Sequence, residues 1–337
     1  MAESIRLHGG PDALGVPQYD FSTNSNACGP CPTALVAVQQ ADASCYPDPG
    51  YHALRESLAA FHGVEPDRIL LAGSASEFIF RISALAALSA GAPGSARVWL
   101  PPHYYGDYAQ AALAWGLDRT SIGEEAALLW SCEPSSPLGQ PHDGLQQQVE
   151  ALRQNQLLVL DRAYAPLRLQ GQPSLDSAGL DRVWQLWTPN KALGLTGVRA
   201  AYVIAPLQAS DLGERLQALA PSWPVGAHGV AMLQCWTDAA VQDWLRASLE
   251  TLRAWKQRQL DLCQDLDWKV LPSEANYFVA RTASPDLGHD LARLRQQGIK
   301  LRDATSFGLP GCVRLGVLPP DAQDALARAW NSIRNLT

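Results

Sequence analysis

The sequence predicts an α/β protein: a seven-stranded, mostly parallel sheet in a large domain, joined to a small α+β domain. Three observations carry this expectation. From residue 69 onward short apolar runs alternate with helix-length spans, a long amphipathic tract follows Pro224, and 337 residues exceed what one small core organises.

The runs that read as strands are Ile69 to Ala72, Arg97 to Leu100, Arg119 to Ile122, Ala127 to Ser131, Leu157 to Asp161, Val183 to Trp187 and Ala200 to Ala205. Most are separated by enough chain for a crossover helix, so their neighbours run parallel. Between Trp187 and Ala200 the chain holds Pro189, Gly194 and Gly197, so a returning antiparallel strand is expected there. Beyond Pro224 a long helical tract runs through Trp244, Leu249, Leu252 and Trp255 to about Leu266, with apolar residues at three- and four-residue spacing. Tyr277 to Ala280 and Cys312 to Val317 then read as strands, Leu287 to Gln297 and Ala322 to Ile333 as helices. The expected division is an N-terminal segment, 1–45, packing with the small domain; a large domain, 46–224; and the interdomain helix with the small domain, 225–337.

The composition is 47% hydrophobic and 18% charged with a net charge of -7, which argues against nucleic acid as a partner and leaves room for a local anion pocket. No apolar stretch is long enough to span a membrane, and the N-terminus lacks the order of a secretion signal, so a cytoplasmic protein is expected. Seven cysteines, an odd number, fit reduced thiols. Cys28-Gly29-Pro30-Cys31 has the spacing of a redox tetrapeptide, but it follows the polar run Ser22 to Asn26 rather than a buried strand and reads as loop. No metal site is expected.

The strongest local signal is Thr188-Pro189-Asn190-Lys191-Ala192-Leu193-Gly194-Leu195-Thr196-Gly197-Val198-Arg199. It places Lys191 at the C-terminal end of a parallel strand, where open α/β sheets bind ligands, among glycines that allow close backbone approach. An amine there can condense with an aldehyde cofactor, while Arg199 and the Thr188 hydroxyl can hold a phosphate. Gly73-Ser74-Ala75-Ser76-Glu77 sits between a strand and an apolar helix, so the N–H groups around Ser74, Ala75 and Ser76 can cradle a phosphate at the helix's positive end.

The lysine segment resembles the Schiff-base motif of class I/II aminotransferases, and other segments follow in that family's order. The resemblance implies the pyridoxal-phosphate-dependent transferase fold type I, with pyridoxal 5'-phosphate bound to Lys191. Asp161-Arg162-Ala163-Tyr164 resembles "D-E-A-Y", which implies that Asp161 keeps the pyridine nitrogen protonated and Tyr164 donates to the ring's phenolic oxygen. Cys132 to Gly139 resembles "N-P-N-N-P-T-G", with Ser136 where the family has the Asn that bonds the ring oxygen. Pro102 to Tyr108 resembles "P-x-Y/F-x-x-Y"; the spacing fits Tyr105 better than Tyr104 as the ring that stacks on the cofactor. Arg302 and Arg314 resemble the arginines that fork onto a substrate carboxylate. Tyr46-Pro47-Asp48 resembles the element whose tyrosine reaches the neighbouring subunit's cofactor phosphate, which implies a homodimer with shared active sites.

Within the family the chain resembles the branch of histidinol-phosphate aminotransferases and threonine-phosphate decarboxylases. His8-Gly9-Gly10, Asp20 to Asn24 and Pro221 to Val225 resemble decarboxylase segments, and His8 and Asn24 become candidate substrate ligands. Phe307 to Gly311 is at home among the aminotransferases. The expected function is an aminotransferase acting on a small, phosphorylated amine or amino acid. The alternatives are L-threonine-O-3-phosphate decarboxylase of cobalamin biosynthesis and a non-catalytic ligand-binding module of the same fold.

Overall fold

The computed structural model describes residues 9–90 and 94–334. Seven strands form the large sheet: β1 (Ile69–Ala72), β2 (Arg97–Trp99), β3 (Asp118–Thr120), β4 (Leu128–Cys132), β5 (Leu157–Asp161), β6 (Trp184–Trp187) and β7 (Ala201–Ile204). Their spatial order is β1-β7-β6-β5-β4-β2-β3. Only β7 is reversed, pairing antiparallel with both β1 and β6. The chain between β6 and β7 forms the turn carrying Lys191 and no crossover helix, so the next strand can only come back alongside. At the far edge β3 stops at Thr120, short of the expected Ile122, because the Thr120 hydroxyl accepts the Ile122 N–H at 3.1 Å and turns the chain.

Strands β1 and β4 to β7 are buried on both sides, the edge pair β2 and β3 less so, and alternate residues enter different cores. Leu70, Ala72, Trp130, Val159, Ala201 and Val203 face one layer, packed under the helix Ala75–Ser89. Ile69, Leu71, Tyr202 and Ile204 face the opposite one, with Leu129, Leu158 and Leu160 in a smaller cluster. Continuous apolar runs, rather than alternating ones, are what this two-sided burial requires.

The tract after Pro224 is two helices, Ala227–Trp236 and Ala239–Asp265, where one continuous run was expected. Asp238 adopts an extended backbone between them. The break is satisfied locally: the Thr237 hydroxyl donates to Gln234 O at 2.8 Å and the Gln242 amide to Trp236 O at 2.6 Å. The longer helix leads to a four-stranded antiparallel sheet of β8 (Lys269–Val270), β9 (Tyr277–Arg281), β10 (Arg302–Asp303) and β11 (Cys312–Gly316), ordered β10-β11-β9-β8. Leu287–Gln296 and Pro320–Arg334 are its helices, the first capped by Asp286, which accepts the His289 N–H.

The N-terminal stretch joins this smaller unit. Tyr19–Asp20 pairs parallel with Ile299–Lys300, and Phe21 O accepts the Gly316 N–H at 2.7 Å. Arg295 and Lys300 both bond Asp12, holding its carboxyl well below the usual carboxylate range. Among the described residues no helix is long and apolar enough to cross a membrane.

Candidate active site

The C-terminal end of β5 presents Asp161, 5% exposed. Its Oδ2 accepts the Tyr108 hydroxyl at 2.6 Å and its Oδ1 the Ala163 N–H at 2.9 Å. Burial pushes this carboxyl up, against the two hydrogen bonds and the charge of Lys191, which favour the carboxylate. Tyr108 is itself buried and lies flat on Trp130, ring centroids 4.2 Å apart. The result is a carboxylate whose two oxygens are both aimed.

Next to it stands Tyr164, set edge-on to Tyr277 at 4.7 Å. The Asn24 amide donates to the Tyr164 hydroxyl at 3.4 Å, and the Lys191 Nζ lies 5.3 Å from the centre of the Tyr164 ring. Asp161, Tyr164, Lys191 and Asn24 thus meet, although Asn24 lies 140 residues from Tyr164 in the chain.

The Lys191 turn is pinned by the N-terminal segment. Asn26 N donates to Lys191 O at 2.9 Å, its side-chain amide bonds Ala192 O and Ser248 Oγ, and Cys31 N donates to Leu193 O at 2.8 Å. Gly194 has φ +69, and a Cβ there would stand 2.5 Å from Gly29 O, so both its conformation and its neighbour demand glycine. Cys28 and Cys31 take part in this wrapping. Cys31 precedes the helix Pro32–Gln39, but no buried strand leads directly into the pair, Cys31 is buried, and burial pushes the Cys28 thiol up, opposite to an activated redox thiol.

At the start of the helix Ala75–Ser89 the Ser74 hydroxyl accepts the Glu77 N–H at 3.1 Å, while the Glu77 carboxylate accepts Gly73 N at 3.2 Å and pairs with Arg81. This capping leaves the first-turn amides of Ala75 and Ser76 directed at the space before the helix. Tyr105 comes to the same place, its hydroxyl 3.5 Å from Ser76 Oγ. Gly73 is also constrained, since a Cβ there would meet Pro224 O at 2.8 Å.

On the other side two guanidiniums converge. Arg314, on β11, donates to Ser22 O at 2.9 Å and to Ser136 Oγ at 3.4 Å. Arg302, on β10, donates to Ser306 Oγ at 2.7 Å, and burial and Arg314 both push its pKa down. Phe307 lies under both, its ring centre 4.8 Å from Arg302 and 5.5 Å from Arg314.

Several buried polar atoms in this assembly have no protein partner: Thr188 Oγ1, Asn24 Oδ1 and Arg314 Nε. A buried hydroxyl and guanidinium N–H left unmatched cost free energy unless a ligand takes them up. A phosphorylated pyridine aldehyde fits: phosphate oxygens for Thr188 and the helix amides, a ring nitrogen for Asp161, a phenolic oxygen for Tyr164, a carbonyl carbon for Lys191.

Two sequence candidates are solvent-exposed. Arg199 is exposed, and Tyr46, 78% exposed, stacks on Trp223 at 4.4 Å on the surface. His8 lies outside the described residues. Conversely, Tyr108 and Asn26 emerge only from the structure. The spacing Tyr105-x-x-Tyr108 was the available signal for the first; nothing local marks Asn26.

The profile of the family "Aminotransferase class I and II" matches residues 14–329. Histidinol-phosphate aminotransferase 1 of Thiobacillus denitrificans is 29% identical, over 90% of this chain and 83% of that protein. Among solved structures, histidinol-phosphate aminotransferase from Sinorhizobium meliloti in complex with pyridoxal-5'-phosphate superposes with a TM-score of 0.82 at 24% identity, covering 98% of this chain and 96% of that one. L-threonine-O-3-phosphate decarboxylase from Porphyromonas gingivalis gives 0.78 at 19% identity, covering 94% and 99%. At these identities the structural likeness is one of fold.

Proposed function

Because this chain belongs to the class I and II aminotransferases, we propose that it is a pyridoxal-phosphate-dependent transaminase of the histidinol-phosphate aminotransferase kind, with a small phosphorylated amine or amino acid as substrate. The observation that carries this reading is the meeting of Lys191, Tyr164 and the doubly bonded Asp161 beside the unmatched Thr188 hydroxyl.

Pyridoxal phosphate, when bound, supplies a sink for the electron pair left on the substrate's α-carbon. Lys191 is the residue that would hold it covalently, and its Nζ, when free, would take and return the α-proton. Asp161 would face the ring nitrogen and favour its protonated form, with Tyr108 and Ala163 fixing the two carboxylate oxygens. Tyr164 would donate to the ring oxygen, its hydroxyl steadied by Asn24. Ser136 stands where its hydroxyl faces Arg314, so polarisation of that oxygen rests on Tyr164. Ser74, Ala75, Ser76, Thr188 and Arg199 would receive the phosphate, and Tyr105 would cover the ring. Arg302 and Arg314 take the substrate's anionic group, a carboxylate or, in a substrate without one, a phosphate.

We assign the active unit as a homodimer in which Tyr46 reaches the neighbour's phosphate. Its exposure, stacked on Trp223 at the surface, supports this. Seven unpaired cysteines fit a cytoplasmic enzyme.

The test has two steps. Reconstituted protein should show the visible absorbance of lysine-bound cofactor, absent in Lys191→Ala. It should then form glutamate from histidinol phosphate and 2-oxoglutarate. Release of CO2 from threonine phosphate without any glutamate would replace this reading by the decarboxylase, and cofactor binding with neither product would leave a non-catalytic binding module.

A further inference from the structure

His103 has no part in the chemistry above, yet it makes a direct contact between the loop after β2 and the loop after β10. Its Nδ1 lies 2.6 Å from Phe307 O. A carbonyl oxygen only accepts, so the contact places the ring proton on Nδ1. The loop bearing His103 is anchored on both sides: Pro101 and Pro102 precede it, Arg119 sits over the Tyr104 ring at 5.2 Å, and the Tyr105 hydroxyl reaches Ser76.

Its target is a single short turn. Thr305–Phe307 is closed by Phe307 N to Ala304 O and Gly308 N to Thr305 O, both 2.9 Å. That turn carries the Ser306 hydroxyl bonded to Arg302 and the Phe307 ring under Arg302 and Arg314. The turn thus supplies a hydroxyl that holds Arg302 and a ring that both guanidiniums face. Besides its own sheet's Ala304 N to Cys312 O bond, a hydrogen bond from the opposite side of the site, made to the backbone of Phe307 itself, ties it to the large sheet's loops.

We propose that His103 is a positioning residue, a clasp that fixes the Thr305–Phe307 turn against the large sheet's loops and thereby sets the affinity of the arginine pair for the substrate's anionic group. The clasp is independent of the assigned activity; its kinetic consequence rests on the transaminase reading. No proton or bond of the substrate passes through His103, so its loss weakens binding more than turnover.

The test uses two variants of the full-length holoenzyme. His103→Phe keeps a ring and removes the donor; His103→Asn places an amide nitrogen the same number of bonds from Cα as Nδ1. Losing one such hydrogen bond is expected to raise the KM for histidinol phosphate and for 2-oxoglutarate about five- to tenfold in His103→Phe, with kcat within about twofold, while His103→Asn stays near the unmodified enzyme. Amide hydrogen exchange across residues 304–309 should quicken in His103→Phe and not in His103→Asn. Unchanged exchange in His103→Phe, equal behaviour of the two variants, or a fall in kcat at constant KM would each overturn the clasp. If unmodified protein turns over neither substrate, the transaminase reading fails while the exchange comparison still decides the clasp.

Discussion

His62 ends the helix His52–His62 inside an aromatic cluster, against Phe61 at 4.9 Å and Trp187 at 4.8 Å. Its Nε2 lies 2.8 Å from the hydroxyl of buried Tyr202, which already accepts the Trp236 indole N–H at 3.1 Å. The consistent arrangement has Tyr202 donating to a neutral imidazole. Protonation would aim a second N–H at the same oxygen and leave the Tyr202 proton without an acceptor. Burial is the larger cause and the nearby Arg162 charge the smaller in lowering the His62 pKa from 6.5 to about 4. Between those values the unfolded chain binds a proton that the folded one refuses, so stability is full above 6.5 and falls as pH drops toward about 4. At ~1.4 kcal/mol per pH unit this is worth about 3 kcal/mol. The assay is urea unfolding from pH 4 to 7.5 of the unmodified protein and of His62→Gln, which retains an acceptor but does not titrate. The unmodified protein should lose about 3 kcal/mol more than the variant across the acid limb. Parallel curves would refute the argument.

Three further perturbations test the site. Tyr108→Phe removes a donor from a buried carboxylate while keeping the ring on Trp130, and should lower unfolding stability by about 2 kcal/mol in urea titration and weaken cofactor retention on dialysis. Gly194→Ala forces a side chain into φ +69 and onto Gly29 O; thermal unfolding should report a loss of about 2 kcal/mol or more, together with weaker cofactor absorbance because the Lys191 turn must shift. Arg314→Ala should raise the KM for the anionic substrate by about tenfold to a hundredfold, and Arg314→Lys should not restore it, since an ammonium cannot reproduce the planar fork; equal rescue by lysine would show that charge alone is read there.

The strand runs were legible in the sequence because a strand buried on both faces must be apolar at every position, as Leu157 to Leu160 are. The reversed strand was legible from the glycine- and proline-bearing span after Trp187, too short for a crossover helix. What misled was the tract after Pro224, where apolar spacing continues through Thr237 and Asp238 although hydrogen bonds from Thr237 and Gln242 end the helix. Periodicity records which face is buried and says nothing about where carbonyls find other partners.

The amino-acid sequence by itself determined the sheet, its one reversed strand and the chemical types gathered at its edge, because each depends on spacing along a few consecutive residues. Only the tertiary structure decided that Asn24 meets Tyr164, that Tyr108 aims Asp161, that Asn26 pins the lysine turn and that His103 reaches Phe307. These are contacts between residues brought together from distant parts of the chain by packing of two sheets and an N-terminal strand, and no local pattern encodes a hydrogen bond whose partners meet only when the whole core has closed.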